Sequence, residues 1–394
     1  MANSKTIISA LALSALAAAA PSRSKTRFSL TQVAVKVPAV HPAAIYARAF
    51  TRLGFEVPDH VALAARSGWT DSVTANPSQY DVVYLTPIQI GASVLQVALD
   101  TGSSNLWVYT PDTPGIGTHA TYDPQTGRLM PGYRWHAING IDIEFKGRVF
   151  QDNVRVGHLR YPNQAVQVVD MIKPESSMHN PLRNNDGILG LAFSSRNSVQ
   201  PIKQNTFFAN IKDKLDIPVF AACLKHGVPG TFDFGWIDSQ KYKEKLFWMP
   251  IDNSKGLWNI TIDGFSVGGD PFNSNPFHAI VDTGTSINLF QENIVKKYYE
   301  KIPDSSFSIL NGGYTFPCTP ASTIPDFNLK LGQYTAVISG KFIKYMSNGT
   351  HCYGGIQTSP NSDYNVLGDV FLKSYYVIFF DDNINPQIAI APQA

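Results

Sequence analysis

Two short stretches place an aspartate where it could do chemistry. Leu99-Asp100-Thr101-Gly102-Ser103 carries an apolar run into an acid and then a turn of small residues, and Val281-Asp282-Thr283-Gly284-Thr285 does the same. The small residues permit a tight turn and close backbone approach. The Thr101, Thr283, Ser103 and Thr285 hydroxyls can hydrogen-bond to backbone or carboxylate. Each carboxylate is thereby fixed at the mouth of a buried strand. Two such groups facing one another cannot both ionise cheaply, so they share a proton and titrate as a unit. One can act as base toward a water while the other, protonated, polarises a carbonyl. This chemistry needs no metal, cofactor or covalent intermediate. A single Asp-Thr-Gly would read as a turn; the doubled motif reads as a catalytic pair, Asp100 and Asp282.

The elements that position the pair are also doubled. Asp186-Gly187-Ile188-Leu189-Gly190-Leu191 follows the first motif, and Tyr364-Asn365-Val366-Leu367-Gly368-Asp369 follows the second at nearly the same distance. Two ordered elements, twice, indicate a duplicated lobe with a period of about 180 residues, far from solenoid periods. From Tyr84 on, short alternating runs such as Val82–Leu85, Leu95–Leu99 and Val149–Val156 are separated by glycine, proline and asparagine, so the fold is expected to be mainly β. Helices are expected over Thr206–Lys214 and Gln291–Lys301.

The 394 residues suffice for two core-forming units and a leader. Charged residues make up only 16% and the net charge is +2, without a basic cluster, which argues against a nucleic-acid partner. Residues 1–68 carry eight Lys and Arg against only Glu56 and Asp59, so a basic leader precedes an acidic body and suits electrostatic docking on it. Lys5 and the apolar run Ile7–Ala20 read as a signal peptide over 1–20. That run is too short to span a bilayer, and no later run reaches 18 apolar residues, so export without a membrane anchor is expected. Pro42–Phe50 favours a helix with proline in its first turn. Ser67–Gln79 looks like an exposed linker, with the mature N-terminus near Gly68 to Asn76.

Three cysteines cannot all pair within one chain. Cys318 and Cys352 enclose alternating strand-like sequence and are expected to form the disulfide, which export permits. Cys223, in an apolar strand pattern, reads as a buried inert thiol. No Cys/His cluster has metal-ligand spacing, and no Gly-x-Ser-x-Gly elbow is present. Asn259-Ile260-Thr261 and Asn348-Gly349-Thr350 are glycosylation sequons, Asn348 the better placed.

The doubled Asp-Thr-Gly, Phe371-Leu372-Lys373-Ser374, Cys352-Tyr353-Gly354-Gly355-Ile356 and the leader segments Phe28–Val33 and Pro42–Ala49 together resemble the pepsin-like aspartic proteases, in particular their secreted fungal branch of penicillopepsin and aspergillopepsin type. The resemblance covers nearly the whole chain. It implies a bilobal β fold, two duplicated lobes with a cleft between them, polypeptide substrates, an acid pH optimum, autoactivation and a monomer. On that pattern the chain divides into a signal peptide at 1–20, a propeptide at 21–70 acting as intramolecular inhibitor, an N-terminal lobe at 71–250 and a C-terminal lobe at 251–394. Arg52 stands near where the family carries a basic residue that blocks the pair until acid disrupts it.

The chain departs from the family at the flap, the hairpin that closes the cleft. Trp135 and Gly147-Arg148-Val149-Phe150 match, but the tip between them reads Asn139-Gly140-Ile141-Asp142. Asn139 replaces the family's tyrosine and Ile141 its Asp or Thr. Strands over Tyr133–Ile138 and Ile141–Phe145 are still expected, because Asn-Gly is a strong two-residue hairpin turn. Trp107, which the family's tyrosine hydroxyl would meet, has no phenol here; losing such a contact costs roughly 1–3 kcal/mol. Ile141 and Ile143 point to apolar or aromatic subsites. A second reading has the fold reused for a ligand or a non-peptide substrate, but Ser103, Thr285 and the leader are intact, which fits altered specificity better. His136 is the histidine nearest the expected cleft and reads as a solvated strand residue.

Overall fold

Leu95, Val97 and Leu99 are buried while Gln96 between them is half-buried, the pattern of a strand packed hard on one face. In the computed structural model, which describes residues 26–34, 41–66, 84–138, 144–173, 185–318, 324–347, 349–361 and 364–394, this run is the strand Ser93–Asp100. Gly187–Gly190 lies parallel to it with Gly190 opposite Asp100, and antiparallel to Leu106–Val108. The second copy repeats the arrangement. Asn365–Leu367 lies parallel to Phe277–Val281 and antiparallel to Asn288–Phe290. The sequence duplication is therefore a duplication of strand order and direction around each aspartate.

The fold is mainly β and bilobal. Among the described residues, the first copy sits in a nine-stranded sheet that also contains the long hairpin Arg128–Ile138 and Glu144–Val156. The second copy sits in a five-stranded sheet flanked by sheets of three and four strands. A six-stranded sheet joins the halves. It interleaves Val219–Cys223, Thr231–Phe234 and Phe247–Pro250 with the C-terminal strands Tyr375–Phe380 and Gln387–Pro392. Phe220 stacks on Phe379 at 4.7 Å, and Trp258 meets the same ring edge-on at 5.2 Å. These aromatic contacts bury the seam between the two halves.

The leader is built into this frame. Phe28–Thr31 adds an edge strand to the six-stranded sheet beside Thr231–Phe234, and Phe28 stacks on Phe234 at 5.2 Å. The expected helix runs over Pro42–Arg52, with His41 as its cap: the His41 Nδ1 accepts the Ala43 N–H at 3.1 Å. Every residue from Pro42 to Thr51 is buried. A second helix, Asp59–Arg66, packs against the first. The small side chains explain the fit: a Cβ on Gly312 would come within 2.9 Å of the Ala64 Cβ and 3.0 Å of the Ala43 Cβ. Of the helices expected elsewhere, Phe207–Ile211 begins on a Thr206 cap and continues as the 3₁₀ turn Lys212–Lys214, and Glu292–Tyr299 occupies the other. The expected signal peptide, the expected linker Ser67–Gln79, the hairpin tip 139–143 and Asn348 lie outside the described residues.

Candidate active site

Each aspartate is held by its own turn. The Asp100 Oδ1 accepts the Gly102 N–H at 2.9 Å and its Oδ2 accepts the Ser103 hydroxyl at 2.5 Å. The Asp282 Oδ1 accepts the Gly284 N–H at 2.8 Å and its Oδ2 accepts the Thr285 hydroxyl at 2.6 Å. The two turns also hold one another. The Thr283 N–H donates to the Thr101 Oγ1 at 2.9 Å, and the Thr101 N–H donates to the Thr283 Oγ1 at 3.1 Å. Each hydroxyl then donates to the opposite strand, Thr101 to the Val281 carbonyl and Thr283 to that of Leu99. Glycine is required where the turns meet, because a Cβ on Gly102 would lie 2.6 Å from the Asp282 carboxyl. Gly190 and Gly368 allow the second elements to back the turns: a Cβ there would lie 2.6 Å from the Ser103 carbonyl oxygen and 2.3 Å from that of Thr285.

The leader reaches both carboxylates through one nitrogen. The Arg52 Nη2 donates to the Asp100 Oδ1 at 2.5 Å and to the Asp282 Oδ1 and Oδ2 at 3.1 and 3.3 Å. All three side chains are almost wholly enclosed. Burial works to raise Asp100, but the Arg52 charge and the hydrogen bonds from Arg52, Ser103 and Gly102 outweigh it and hold the carboxyl below the ordinary range. Burial raises Asp282, and the negative charge of Asp100 adds to this against the opposing Arg52 charge. One site thus contains two carboxyls pushed apart, one toward the anion and one toward the acid. Burial alone would weaken the Arg52 charge, but the two carboxylates overcome it and push this guanidinium up.

Trp107 is buried against Trp135, stacked at 6.4 Å, and against Phe145 at 5.1 Å. The Trp135 Nε1 donates to the Val168 carbonyl at 2.6 Å, anchoring the hairpin base to the first-lobe sheet. Asn139, Gly140, Ile141 and Asp142 lie outside the described residues. His136 is half exposed with its Nε2 2.9 Å from the Glu144 carboxylate, a solvated pair on the hairpin surface. Cys318 and Cys352 form the disulfide. Cys223 is a free, buried cysteine whose thiol is pushed up by burial. Asn259 opens the strand Asn259–Ile262 and is half-buried. Among the described residues no group of three or more His, Cys, Asp or Glu is arranged to hold a metal ion.

Three leader residues have roles that sequence reasoning missed. His41 caps the helix that carries Arg52, and burial lowers its imidazole to about 4. Tyr46 packs edge-on to Phe50 at 4.9 Å and donates its hydroxyl to the Thr358 carbonyl in the second lobe. Arg48, counted in the sequence only as leader charge, is buried one turn before Arg52. The available signal was the Arg48/Arg52 spacing, which puts both on one helix face.

The chain matches the family model of the eukaryotic aspartyl proteases over residues 83–393. It is 48% identical to Penicillopepsin-1 of Talaromyces stipitatus, with 100% of each chain covered. It is 41% identical to Penicillopepsin-3 of Penicillium janthinellum over 97% of each chain, and 40% identical to Aspergillopepsin-1 of Aspergillus clavatus over 99% of each. Residues 1–82 lie outside the family match, yet the likeness to these relatives runs through them.

Proposed function

Because the chain belongs to the eukaryotic aspartyl proteases and is a hydrolase of the aspartic endopeptidase type, we propose that Asp100 and Asp282 are its catalytic pair and that it is a secreted zymogen. With the leader withdrawn, the pair loses the cation that favours its ionised form and shares one proton. The ionised carboxylate takes a proton from a water lying between the two, and that water attacks the peptide carbonyl. The protonated partner donates to the carbonyl oxygen, and collapse of the tetrahedral species passes a proton to the leaving nitrogen. Thr101, Gly102, Ser103, Thr283, Gly284 and Thr285 position the pair.

The observation that carries this reading is the Arg52 guanidinium seated on both carboxylates. A leader that covers the reacting atoms is an inhibitor in place. It supports taking residues 21–70 as a propeptide behind a signal peptide at 1–20, with lobes at 71–250 and 251–394. The mature enzyme is then a monomer that works in acid, with Asn348 the preferred glycan site over Asn259. Ile141 and Ile143 give it apolar or aromatic subsites.

The test is to acidify the purified zymogen and follow cleavage of an unfolded protein from about pH 2.5 to 7, with and without pepstatin, beside Asp100→Asn. Pepstatin-sensitive cleavage in acid, lost in the variant, is the expected result. No cleavage by a folded, processed wild type would sink the proposal.

A further inference from the structure

Arg48 stands one helical turn before Arg52 and is only 6% exposed. The charged groups that act on it are Arg52 on its own helix and Asp100, Asp282 and Asp369 on the two lobes. Among the described residues its Nε–H, like that of Arg52, finds no acceptor, but unlike Arg52 it has no carboxylate within ion-pair distance of its guanidinium. Two arginines are therefore enclosed at one site, and only Arg52 is clasped. A cation this deeply buried and unclasped is the costly arrangement, because it has lost most of its water without gaining a direct partner.

We infer that Arg48 is a built-in ejector, a strained cation that sets the acidity at which the leader releases the two aspartates. This rests on the reading of Arg52 as the inhibitory contact. While Asp100 is ionised, its charge together with that of Asp369 offsets the two guanidinium groups. Protonation of Asp100 loosens the Arg52 contact and leaves two neighbouring cations that repel one another. Release into water relieves both at once. Burial, with the Arg52 charge adding to it, lowers Arg48 to about 10. A base lowered on docking opposes docking at every pH below that value, so the push persists throughout the acid range.

The full-length chain tests this with Arg48→Met, Arg48→Lys and Arg52→Met. Amide hydrogen exchange over Pro42–Arg52 reports release as the pH is lowered, and the rate of leader cleavage reports activation. Arg48→Met is expected to lower the pH of half-release by about half to one unit, making release roughly threefold to tenfold slower at a given pH. Arg48→Lys, which keeps the charge, is expected to stay close to wild type. Arg52→Met is expected to move the opposite way and release at higher pH. Once processed, all the enzymes should share one kcat/KM, since the altered residues are gone. If Arg48→Met fails to fold, Arg48→Gln takes its place with the same expectation. Release at an unchanged or higher pH in the neutral variant overturns the ejector. Unchanged release in Arg52→Met overturns instead the inhibitory contact on which it rests.

Discussion

Thr101 and Thr283, 182 residues apart, each accept the other's backbone N–H on the side-chain oxygen, at 2.9 and 3.1 Å. The relation is reciprocal, so neither aspartate turn is positioned independently of the other. Thr101→Val keeps the shape but removes one acceptor and one donor, stranding the Thr283 N–H and the Val281 carbonyl. The expected cost is about 2–4 kcal/mol of stability and at least a tenfold loss of kcat. Thr101→Ser should restore most of both. Thermal melting and steady-state kinetics on the processed enzymes check this, and a stable, fully active Thr101→Val would show the cross-link to be dispensable.

Gly102→Ala should separate folding from catalysis. Its methyl would lie 2.6 Å from the Asp282 carboxyl, so the carboxyl must move. A displacement of that kind costs on the order of a hundredfold in rate. Gly269→Ala, with nothing within 4 Å of its Cβ, is the control and should leave kcat untouched. Equal activity in the two variants would contradict the geometry at the pair.

His41 should widen the pH range over which the leader loosens. Its docked value lies near 4 against an ordinary 6.5. A lowered base binds its proton more readily when undocked, so stability of the docked leader is intact above 6.5 and declines as the pH falls toward 4. The full effect is about 3 kcal/mol. Asp100 works in a lower window: its depressed value gives a stabilisation that is present above the ordinary carboxylate range and lost below it. His41→Asn keeps a good cap without a titrating ring. Its release, followed by hydrogen exchange, should show little change between pH 6.5 and 4. A wild-type pH profile in that variant would remove His41 from the mechanism.

If Asn139 stands in the flap position of the family's tyrosine, as the resemblance implies, Asn139→Tyr restores the missing phenol. With Trp107 in the place where the family's tyrosine would meet it, the substitution should raise kcat/KM on an apolar peptide roughly tenfold to a hundredfold. A fall in kcat/KM would mean that the enzyme is adapted to its own tip.

The doubled Asp-Thr-Gly was legible because each turn's own chemistry is local: apart from Arg52, the groups that bond each carboxylate lie within three positions of it. The leader helix was legible from Pro42 and the alanines behind it, and the disulfide from the strand-like run between Cys318 and Cys352. The Thr101–Thr283 contacts were not, since no local signal records which hydroxyl crosses to the other lobe. The burial of Arg48 was not legible, for a physical reason. Two arginines four residues apart usually mark a solvent face, but here the helix is enclosed on every side. Nor did the sequence show that Tyr375–Phe380 and Gln387–Pro392 would interleave with strands before residue 250. Strand partners are chosen by long-range burial, and each of these runs would suit several neighbours.

Phe28, Ala43, Ile45 and Phe50 of the leader belong to the same buried cluster as Leu99, Phe220 and Phe379. If the leader is cut away as proposed, the protein works without part of the apolar packing around which it folded. The processed enzyme then has less buried apolar surface holding it folded than the chain that first folded.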